Sequence, residues 1–565
     1  MGLFSVLTSC RNDDEPLLIL LGTTDVHGTF FPYDFINNAP SRASLASVSA
    51  YVREVRKEGH KTLLLDNGDI LQGQPEVYYY NFIDTVSPHI CSEMLNYMKY
   101  DAATAGNHDI EAGHPVYDRL VEEYTFPLLA ANAVSDETGK PYFKPFTIIR
   151  KGNLKIAVMG LITPSVPSWL PPVLYSGMHF TNMTDAAARW MAEIEKERPD
   201  IVIGLFHSGW NDDAEAPLPG NSSNAVVYNV PGFDVVFTGH DHSRMNSSTV
   251  NRVGDTVLVI NAGSRAANIA RVDVTGRKGS LRFSGSLVET ADIQPDPLFV
   301  EQFSKQYEAV SEFVSREIGE APYKITSRDA LFGPSSFTSM IHTVQLGLTG
   351  ADISFAAPLS FDVSIGPGKV TVADMFKLYR YENMLYTISL KGSEIDGFLE
   401  HSAAGWFNNF TQGDPYLLNY RRGPDGKPLV SADRLRLREP VYNFDSAAGI
   451  DYTVDVTLDP GNRVVISGLS DGRAFHIDST YSVAINSYRA SGGGGHIRTG
   501  AGLSSEEALA RLLKSTSRDL RYYMIEWISE KRILEPLSLN NWKVVPEAVT
   551  VPAIKREWQL VYGNN

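Results

Sequence analysis

Short, largely apolar runs that end in acidic, amide or imidazole side chains constrain this sequence more than any other feature. Such runs cover residues 17–21, 62–65, 102–105, 201–206 and 235–237, and segments with helical spacing lie at 41–57, 88–100 and 185–196. Runs of this kind are typical of parallel strands that are buried on both faces. Because the carboxyl ends of parallel strands meet at one edge of a sheet, the alternation predicts an α/β fold with a polar site at that edge.

Seven residues near these strand ends are candidate metal ligands: Asp25, His27, Asp69, Asn107, His207, His240 and His242. Carboxylates, imidazoles and one amide suit Mn, Zn, Fe or Ni better than Ca, and the lack of a thiolate argues against a structural zinc site. Seven ligands are too many for one ion, so the set predicts two divalent ions roughly 3.5 to 4 Å apart. Two such ions need a shared ligand, and we expect the carboxylate of Asp69 to bridge them.

The catalytic candidates surround a glycine turn, Gly106-Asn107-His108-Asp109. We interpret Asn107 as a metal ligand and His108 as the group that donates to the phosphate or to the leaving oxygen. Glu111, three residues further on, is placed to hold the imidazolium of His108. Each of these short motifs, taken alone, has a plainer interpretation, since Gly-Asn pairs form surface turns and a lone histidine such as His207 is more often a core residue. The recurrence of such motifs along the chain favours the metal site.

Charge and cysteine content limit the classes of partner. Lys and Arg number 50 against 66 Asp and Glu, a net charge of -16, so no global basic field gathers nucleic acid and none is expected as a partner. The cysteines are Cys10 and Cys91, and Cys91 lies in an apolar, helix-like run where we expect a core thiol. No run other than the amino-terminal one approaches the roughly 18 apolar residues of a membrane helix.

Cys10 follows Leu7-Thr8-Ser9, which resembles the lipobox of bacterial lipoproteins. The resemblance implies a lipid anchor at Cys10 and an extracytoplasmic address, either periplasmic or anchored to the outer membrane of a Gram-negative bacterium. The acidic residues at 13–15 are similar to export signals of surface lipoproteins. The alternative is an accidental match, because the apolar stretch before the cysteine is short and has no basic flank.

The length of 565 residues, 43% of them apolar, favours two or more domains. Three further strands are predicted to complete the sheets of the first domain, at residues 257–261, 267–274 and 281–288. An Asp- and Pro-rich run at 292–297 then begins a polar helix that is predicted to reach about residue 318 and to link two domains. The predicted limits are 1–16 for a lipoprotein signal remnant and tether, 17–291 for the first domain, 292–320 for the linker helix, 321–545 for the second domain and 546–565 for a tail.

The metal-site motifs resemble those of the calcineurin-like metallophosphatases, and with the second domain the chain is similar to the bacterial 5'-nucleotidase family. The motifs are Asp25-Val26-His27, Gly68-Asp69, Gly106-Asn107-His108-Asp109, His207 and Gly239-His240-Asp241-His242. The resemblance implies an α/β/β/α sandwich followed by an α+β nucleotide-binding domain. It also implies that Asp25, His27, Asp69 and His242 hold one ion, and that Asp69, Asn107, His207 and His240 hold the other. The family's catalytic histidine falls on His108, whose usual Asp partner is replaced here by Glu111.

The same resemblance assigns the substrate-binding residues. It places the nucleotide base between Tyr381 and Tyr488, which belong to segments 378–383 and 486–493. Arg380 and Asn383, in the first of these segments, are included in the predicted base site. Stacking of a base on aromatic rings contributes on the order of 1 to 3 kcal/mol to the free energy of binding, and it accepts any of the bases. The alternative is that both tyrosines belong to the core.

One departure from the 5'-nucleotidases shapes the expected activity. Their phosphate-contacting segment should fall near residues 356–360, where this chain has neither the Asn nor the Arg. Segments 356–358, 442–445 and 486–490 instead resemble the 2',3'-cyclic-nucleotide 2'-phosphodiesterase/3'-nucleotidase branch. The resemblance implies a hydrolase that opens cyclic nucleotides and then removes the 3'-phosphate. We expect the chain to be a monomer. The alternatives are a 5'-nucleotidase or nucleotide-sugar hydrolase, and a surface protein that binds nucleosides without turnover.

Overall fold

A computed structural model describes residues 15–211, 221–411, 415–431, 434–535 and 538–563. The predicted lipid-anchor residue Cys10 and most of its predicted tether lie outside these residues. The chain divides into two compact units, one with residues up to 166 and residues 172–312, the other with residues 167–171 and those from 313 onward. Within the described residues, no helix is both long enough and apolar enough to span a membrane.

The first unit contains two six-stranded sheets. In order across the first sheet, the strands are Ser280–Glu289, Asn268–Arg277, Leu18–Thr23, Thr62–Asp66, Ala102–Thr104 and Leu128–Leu129. In order across the second, they are Arg244–Val250, Thr256–Ala262, Val235–Thr238, Ile201–His207, Leu154–Ile162 and Phe146–Lys151. The central strands are parallel, with Ile19 opposite Thr62 and Ile201 opposite Ile156, so their carboxyl ends point the same way.

Burial explains why these runs form strands. The side chains of Leu18–Thr23 and Ile201–His207 are buried throughout, as expected of central strands covered on both faces. Alternate residues such as Leu20, Leu63, Ile156 and Ile203 fill one core between the sheets. Burying each such side chain contributes about 1.5 to 3 kcal/mol to the free energy of unfolding.

Helices cover the outer faces of the sheets. Those of the first unit are Leu45–Lys57, Pro75–Tyr78, Ile90–Met98, Asn107–Glu111, His114–Glu123, Met183–Glu197, Ser223–Asn229 and Pro297–Gln302. Cys91 is buried in one of them, as the sequence predicted. The side chains of Ser44 and Asn182 accept backbone N–H groups and so begin two of the longest helices. The two sheets and their helices form the predicted α/β/β/α sandwich.

The predicted linker helix is interrupted and shorter than expected. Helices Pro297–Gln302 and Ser304–Ser315 are separated at Phe303, and the prediction of a helix to residue 318 was wrong. Residues Glu317–Ala321 form a strand that pairs with Gly368–Thr371, and this pairing satisfies the backbone hydrogen bonds of the segment.

The second unit is built on a mixed sheet covered by helices. Its strands, in order across the sheet, are Ser446–Ala448, Ile353–Ala356, Thr480–Asn486, Met384–Lys391 and Leu512–Asp519. A smaller sheet contains Val464–Leu469, Ile450–Asp455 and Trp542–Val545. The helices are Ser336–Thr349, Val372–Leu378, Gly392–Trp406, Ser487–Ala490, Ser505–Ala510, Leu520–Lys531 and Glu547–Tyr562. This arrangement is the predicted α+β class.

The segment predicted as a tail belongs to the second unit. Residues 546–565 include the helix Glu547–Tyr562, in which Ala553, Glu557 and Val561 are buried. The carboxylate of Glu557 accepts the backbone N–H of Leu418 at 2.9 Å. Interior contacts thus hold the helix in the second unit, so the prediction of a separate tail segment is corrected for residues 547–562.

Candidate metal centre

The structure brings the predicted metal ligands together at the carboxyl ends of both sheets of the first unit. Their positions are Asp25 and His27 after Leu18–Thr23, Asp69 after Thr62–Asp66, Asn107 after Ala102–Thr104, His207 at the end of Ile201–His207, and His240 and His242 after Val235–Thr238. Most of these residues are buried, whereas His240 is half-buried and His242 is exposed. The site therefore has a closed floor and one open side, from which a substrate can enter.

Backbone strain is concentrated in these ligands. Positive φ angles occur at Asp25 (49°), His27 (50°), Asp69 (57°), His240 (73°) and His242 (53°). Residues with a Cβ rarely adopt this left-handed region, at a cost of order 1 to 3 kcal/mol each, and do so where surrounding structure fixes them. Five residues with positive φ in three turns, all at the carboxyl ends of strands, indicate that the surrounding structure fixes the directions of these side chains.

Two glycines allow the turns to approach one another. A Cβ at Gly239 would overlap Thr24 Oγ1 and would lie 2.8 Å from Asp25 Oδ2. A Cβ at Gly106 would overlap the carboxylate of Asp69. Glycine is needed at both positions because the neighbouring turn occupies the space of a side chain.

The first group of candidate ligands is Asp25, His27 and His242, whose donor atoms lie within 4.8 Å of one another. His27 Nε2 is 3.0 Å from His242 Nε2, and His242 Nε2 is 3.3 Å from Asp25 Oδ1. His27 is oriented by its Nδ1, which lies 2.9 Å from the backbone carbonyl of Gln72. A histidine held in this way directs its other nitrogen to a metal.

The second group is Asp69, His207 and His240, again with donor atoms within 4.8 Å. His207 Nε2 lies 3.1 Å from Asp69 Oδ2, and His207 Nδ1 lies 2.7 Å from the backbone carbonyl of Asn67. Asn107 joins this group, because its Oδ1 is 2.8 Å from His240 Nδ1. The second group therefore offers carboxylate, imidazole and amide donors, which are the types that bind divalent ions.

His207 shows that a cation fits this group. Its Nδ1 faces a carbonyl and so carries a proton, which leaves a lone pair on Nε2 in the neutral ring. That Nε2 is buried and lies 3.1 Å from Asp69 Oδ2, but no contact among the described residues has the geometry of a hydrogen bond to it. Burial lowers the pKa of His207, but the carboxylates of Asp69 and Asp25 raise it more, to about 10. The site thus demands positive charge at this nitrogen, which either a proton or a metal ion can supply.

The carboxylates carry the complementary charge. Burial raises the pKa of Asp25, but the hydrogen bond with His242 and the charge of His207 outweigh this effect, so the pKa lies below its ordinary value. Burial also raises the pKa of Asp69, yet the histidines around it, His207 foremost, hold that pKa well below the usual range. Both side chains are therefore ionised and able to bind metal at neutral pH.

His108 lies beside the ligands and is held from both sides. Its backbone N–H donates to Asp69 Oδ1 at 2.8 Å, and its Nδ1 is 2.5 Å from Glu111 Oε2. Burial lowers the pKa of His108, but the carboxylates of Asp69 and Glu111 raise it to about 9. The side chain is 30% exposed, so the charged ring remains open to an anionic group on the site's accessible side.

Asp109, which was not predicted to be a metal ligand, connects two of the turns that carry candidate ligands. Its carboxylate accepts backbone N–H groups of Gly106 at 2.8 Å and of Asp69 and Ile70 at 2.9 Å. These bonds tie the Asn107 turn to the Asp69 turn. The sequence contains a signal for this role, since an acidic residue three positions after the start of a helix can accept the backbone N–H of the first residue, here Gly106.

The predicted base-site tyrosines lie in the second unit. Tyr381 and Tyr488 are half-buried. The ring of Tyr381 meets the edge of Tyr442 with centroids 5.8 Å apart, and the exposed Arg380 lies over Tyr381 at 5.8 Å. Asn383 is buried, and its backbone carbonyl accepts the N–H of Leu520 at 2.8 Å, so it supports the loop that carries Tyr381. Tyr442 was not predicted to contact Tyr381.

The fold and the site define a class of protein. Residues 19–244 match the sequence profile of the calcineurin-like phosphoesterases, and residues 317–499 match that of the 5'-nucleotidase C-terminal domain. The chain thus combines a calcineurin-like phosphoesterase domain with a 5'-nucleotidase C-terminal domain. The predicted family and fold class are thereby confirmed, and divalent metals are the cofactors that this class uses.

Individual relatives agree with this class. The chain is 26% identical to the 2',3'-cyclic-nucleotide 2'-phosphodiesterase/3'-nucleotidase of Haemophilus influenzae, over 94% of this chain and 87% of that protein. It is 24% identical to the 5'-nucleotidase of Vibrio vulnificus, over 85% of each. A crystal structure of a Staphylococcus aureus protein has a TM-score of 0.76 at 23% identity, covering 93% of this chain and 99% of that one. The relatives are phosphoric ester hydrolases, which confirms the predicted enzyme class.

Proposed function

We propose that the protein hydrolyses 2',3'-cyclic nucleotides to 3'-nucleotides and 3'-nucleotides to nucleosides, with two divalent ions. The observation that carries the proposal is the pair of three-residue ligand groups in the first unit, Asp25, His27 and His242 with Asp69, His207 and His240. Asn107 completes the second group, and Asp69 is the proposed bridge. Mn, Zn or Fe suit these donors.

Bound divalent ions would lower the pKa of water and neutralise phosphate oxygens, which is the chemistry that an in-line displacement needs. The chain's own residues supply the rest. His108, held by Glu111 at 2.5 Å, presents a charged ring that donates to a phosphate oxygen or to the leaving oxygen. Asp109 fixes the distance between the Asn107 and Asp69 turns by accepting their backbone N–H groups. These contacts prepare the site before substrate binds.

Substrate selection is assigned to the second unit. Tyr381 and Tyr488 are proposed to stack on the base, and the contact of Tyr381 with Tyr442 supports an aromatic surface there. Arg380 and Asn383 belong to the same loop. The choice of cyclic and 3'-nucleotides follows relatives of that name, which match most of this chain.

Variants of the site test the chemistry. We expect Asn107→Ala and His108→Ala each to lower the turnover of bis(p-nitrophenyl) phosphate at least about 100-fold, because one removes a ligand and the other a proton donor. His179→Ala is the matched control, since that exposed histidine pairs with Asp136 away from the ligands. Activity near wild type in both site variants would reject the proposed centre.

A 5'-nucleotidase is the second candidate, favoured by the similarity to the Vibrio vulnificus enzyme. Turnover of 2',3'-cyclic AMP, 3'-AMP and 5'-AMP by the same preparation separates the two. Preference for 5'-AMP would overturn the substrate proposal and leave the metal site intact. A protein loaded with Mn or Zn that binds adenosine but cleaves no phosphoester would instead support a nucleoside-binding protein.

The proposed location is extracytoplasmic, with a lipid anchor at Cys10 and a monomeric chain. The lipobox-like sequence before Cys10 supports the anchor. Mass spectrometry of the mature amino terminus tests it: we expect an acylated cysteine, and an unmodified residue 10 would refute the anchor. Light scattering of the purified protein tests the monomer.

A further inference from the structure

A short π-helix in the first unit contacts the segment that follows Asp69. It covers Tyr79–Ile83 and continues the helix Pro75–Tyr78. Helices of this type are rare and are frequently found at functional sites. Asn81, within the π-helix, is 4% exposed, and its side-chain amide forms hydrogen bonds to two other segments of the chain. The contacts of this side chain therefore bear on the metal centre.

The two hydrogen bonds of Asn81 have a fixed direction. His89 Nδ1 accepts the backbone N–H of Cys91 at 3.2 Å, so the proton of the neutral ring is on Nε2. Burial lowers the pKa of His89 to about 3, so the ring is neutral near pH 7. His89 Nε2 therefore donates to Asn81 Oδ1 at 2.9 Å, and Asn81 Nδ2 donates to the carbonyl of Leu71 at 2.7 Å. The neutral histidine thus determines which end of the amide faces Leu71.

The Leu71 carbonyl comes one residue before the carbonyl that orients His27. That next carbonyl, of Gln72, lies 2.9 Å from His27 Nδ1. The backbone N–H of Leu71 donates to Asp109 Oδ1 at 3.1 Å, so Leu71 is held through its N–H as well as through its carbonyl. Because a peptide unit is planar, holding the Leu71 carbonyl also fixes the amide nitrogen of Gln72. The directions open to the Gln72 carbonyl are thereby limited.

We propose that Asn81 is a positioning residue for His27. Its amide holds Leu71, this contact limits where the Gln72 carbonyl can lie, and that carbonyl sets the direction of the His27 ring. A metal-bound histidine depends on such a contact, because the group bonded to its other nitrogen fixes the orientation and the tautomer of the ring. The inference rests on the proposed function in its need for divalent ions, and it is independent of which nucleotide is hydrolysed.

The second group of candidate ligands is held by other contacts. The backbone N–H of Asp69 donates to Asp109 Oδ2 at 2.9 Å, and His207 Nδ1 lies 2.7 Å from the carbonyl of Asn67. Neither contact includes Asn81. Loss of the Asn81 amide is therefore expected to weaken the ion of the first group and to spare the ion of the second. A residue that only stabilised the fold would not distinguish between the two ions.

Calorimetric titration of the metal-free protein with Mn tests this difference, because it measures a Kd for each ion. Asn81→Leu has nearly the size of the native residue but no amide, and it should raise the Kd of one ion about tenfold, the lower end of the effect of losing a direct partner of a metal-bound histidine. The Kd of the other ion should stay within about twofold. If Asn81→Leu does not fold, Asn81→Ala gives the same comparison without new atoms to accommodate. His27→Ala identifies the ion, since it should weaken the same one.

A control and a double variant complete the comparison. Asn251 is also 4% exposed, and its side chain accepts the backbone N–H groups of Val253 and Asp255 at 3.1 and 3.0 Å. It follows the strand Arg244–Val250 at the end opposite to the candidate ligands, so Asn251→Leu should leave both Kd values unchanged. In a His27→Ala background, Asn81→Leu should change either Kd less than about twofold, because the ring through which it acts is gone.

Several results would overturn the inference: unchanged Kd values in the Asn81 variants, equal weakening of both ions, the same loss in Asn251→Leu, or a full additional loss in the double variant. Failure of the proposed function gives a different result. A wild-type protein that binds two Mn ions and cleaves no phosphoester would reject the proposed hydrolysis, while the Kd values would still decide the role of Asn81. A wild-type protein that binds no Mn would reject the metal centre and the role of Asn81 together.

Discussion

The contact between Glu111 and His108 leads to a quantitative prediction about turnover. Glu111→Ala removes a carboxylate oxygen 2.5 Å from His108 Nδ1, in side chains that are 10% and 30% exposed. A hydrogen bond between charged groups contributes about 1.5 to 3 kcal/mol. Since about 1.36 kcal/mol of barrier changes a rate tenfold, kcat should fall about 10- to 100-fold. KM should stay within about twofold, because Glu111 holds the donor and is not itself a proposed ligand of metal or substrate.

Steady-state hydrolysis of bis(p-nitrophenyl) phosphate at saturating Mn measures kcat and KM separately. Glu111→Gln keeps an acceptor without its charge and should lie between wild type and Glu111→Ala. Glu122→Ala, an exposed position on the following helix, is the control and should behave as wild type. If Glu111→Ala keeps kcat within twofold while His108→Ala loses it, the positioning role of Glu111 is refuted.

Other parts of the fold lead to further predictions. Gly239→Ala should at least halve the metal content of the purified protein measured by mass spectrometry, because the new Cβ would overlap Thr24 beside Asp25. Gly347→Ala, on an open helix position, should keep full metal content. Asp445→Asn should destabilise the second unit by about 3 to 5 kcal/mol in urea denaturation, since it leaves the buried Arg489 without its charge partner at 2.6 Å; an unchanged midpoint would contradict this. Burial lowers the pKa of His342 to about 3, so below pH 6.5 the unfolded chain binds the proton first and stability should fall by up to about 1.4 kcal/mol per pH unit down to pH 3. His342→Gln should flatten that pH dependence, and an unaltered slope would show that other groups cause it.

Local pattern was sufficient for most of the first unit. The runs at 62–65 and 201–206 lie within observed strands and the run at 17–21 overlaps one, because a strand that is buried on both faces carries an uninterrupted apolar sequence. The local sequence pattern did not predict the secondary structure where pairing with a remote segment determines it, as at Ile318. This residue was predicted to be helical but lies in a strand, because it belongs to a segment that pairs with Gly368–Thr371. The residues around Ile318 do not indicate that pairing. The helix Glu547–Tyr562 was missed for the same reason, since its anchor Glu557 bonds to residues about 140 positions away.

The sequence alone determined which donor types gather at the sheet edge, because strand direction and the residue after each strand are local properties. Only the tertiary structure decided how those donors face one another. His240 and Asp25 are 215 positions apart, yet the N–H of one donates to the carboxylate of the other at 3.1 Å. Distances of this kind follow from how remote segments pack, and no single stretch of sequence contains that information.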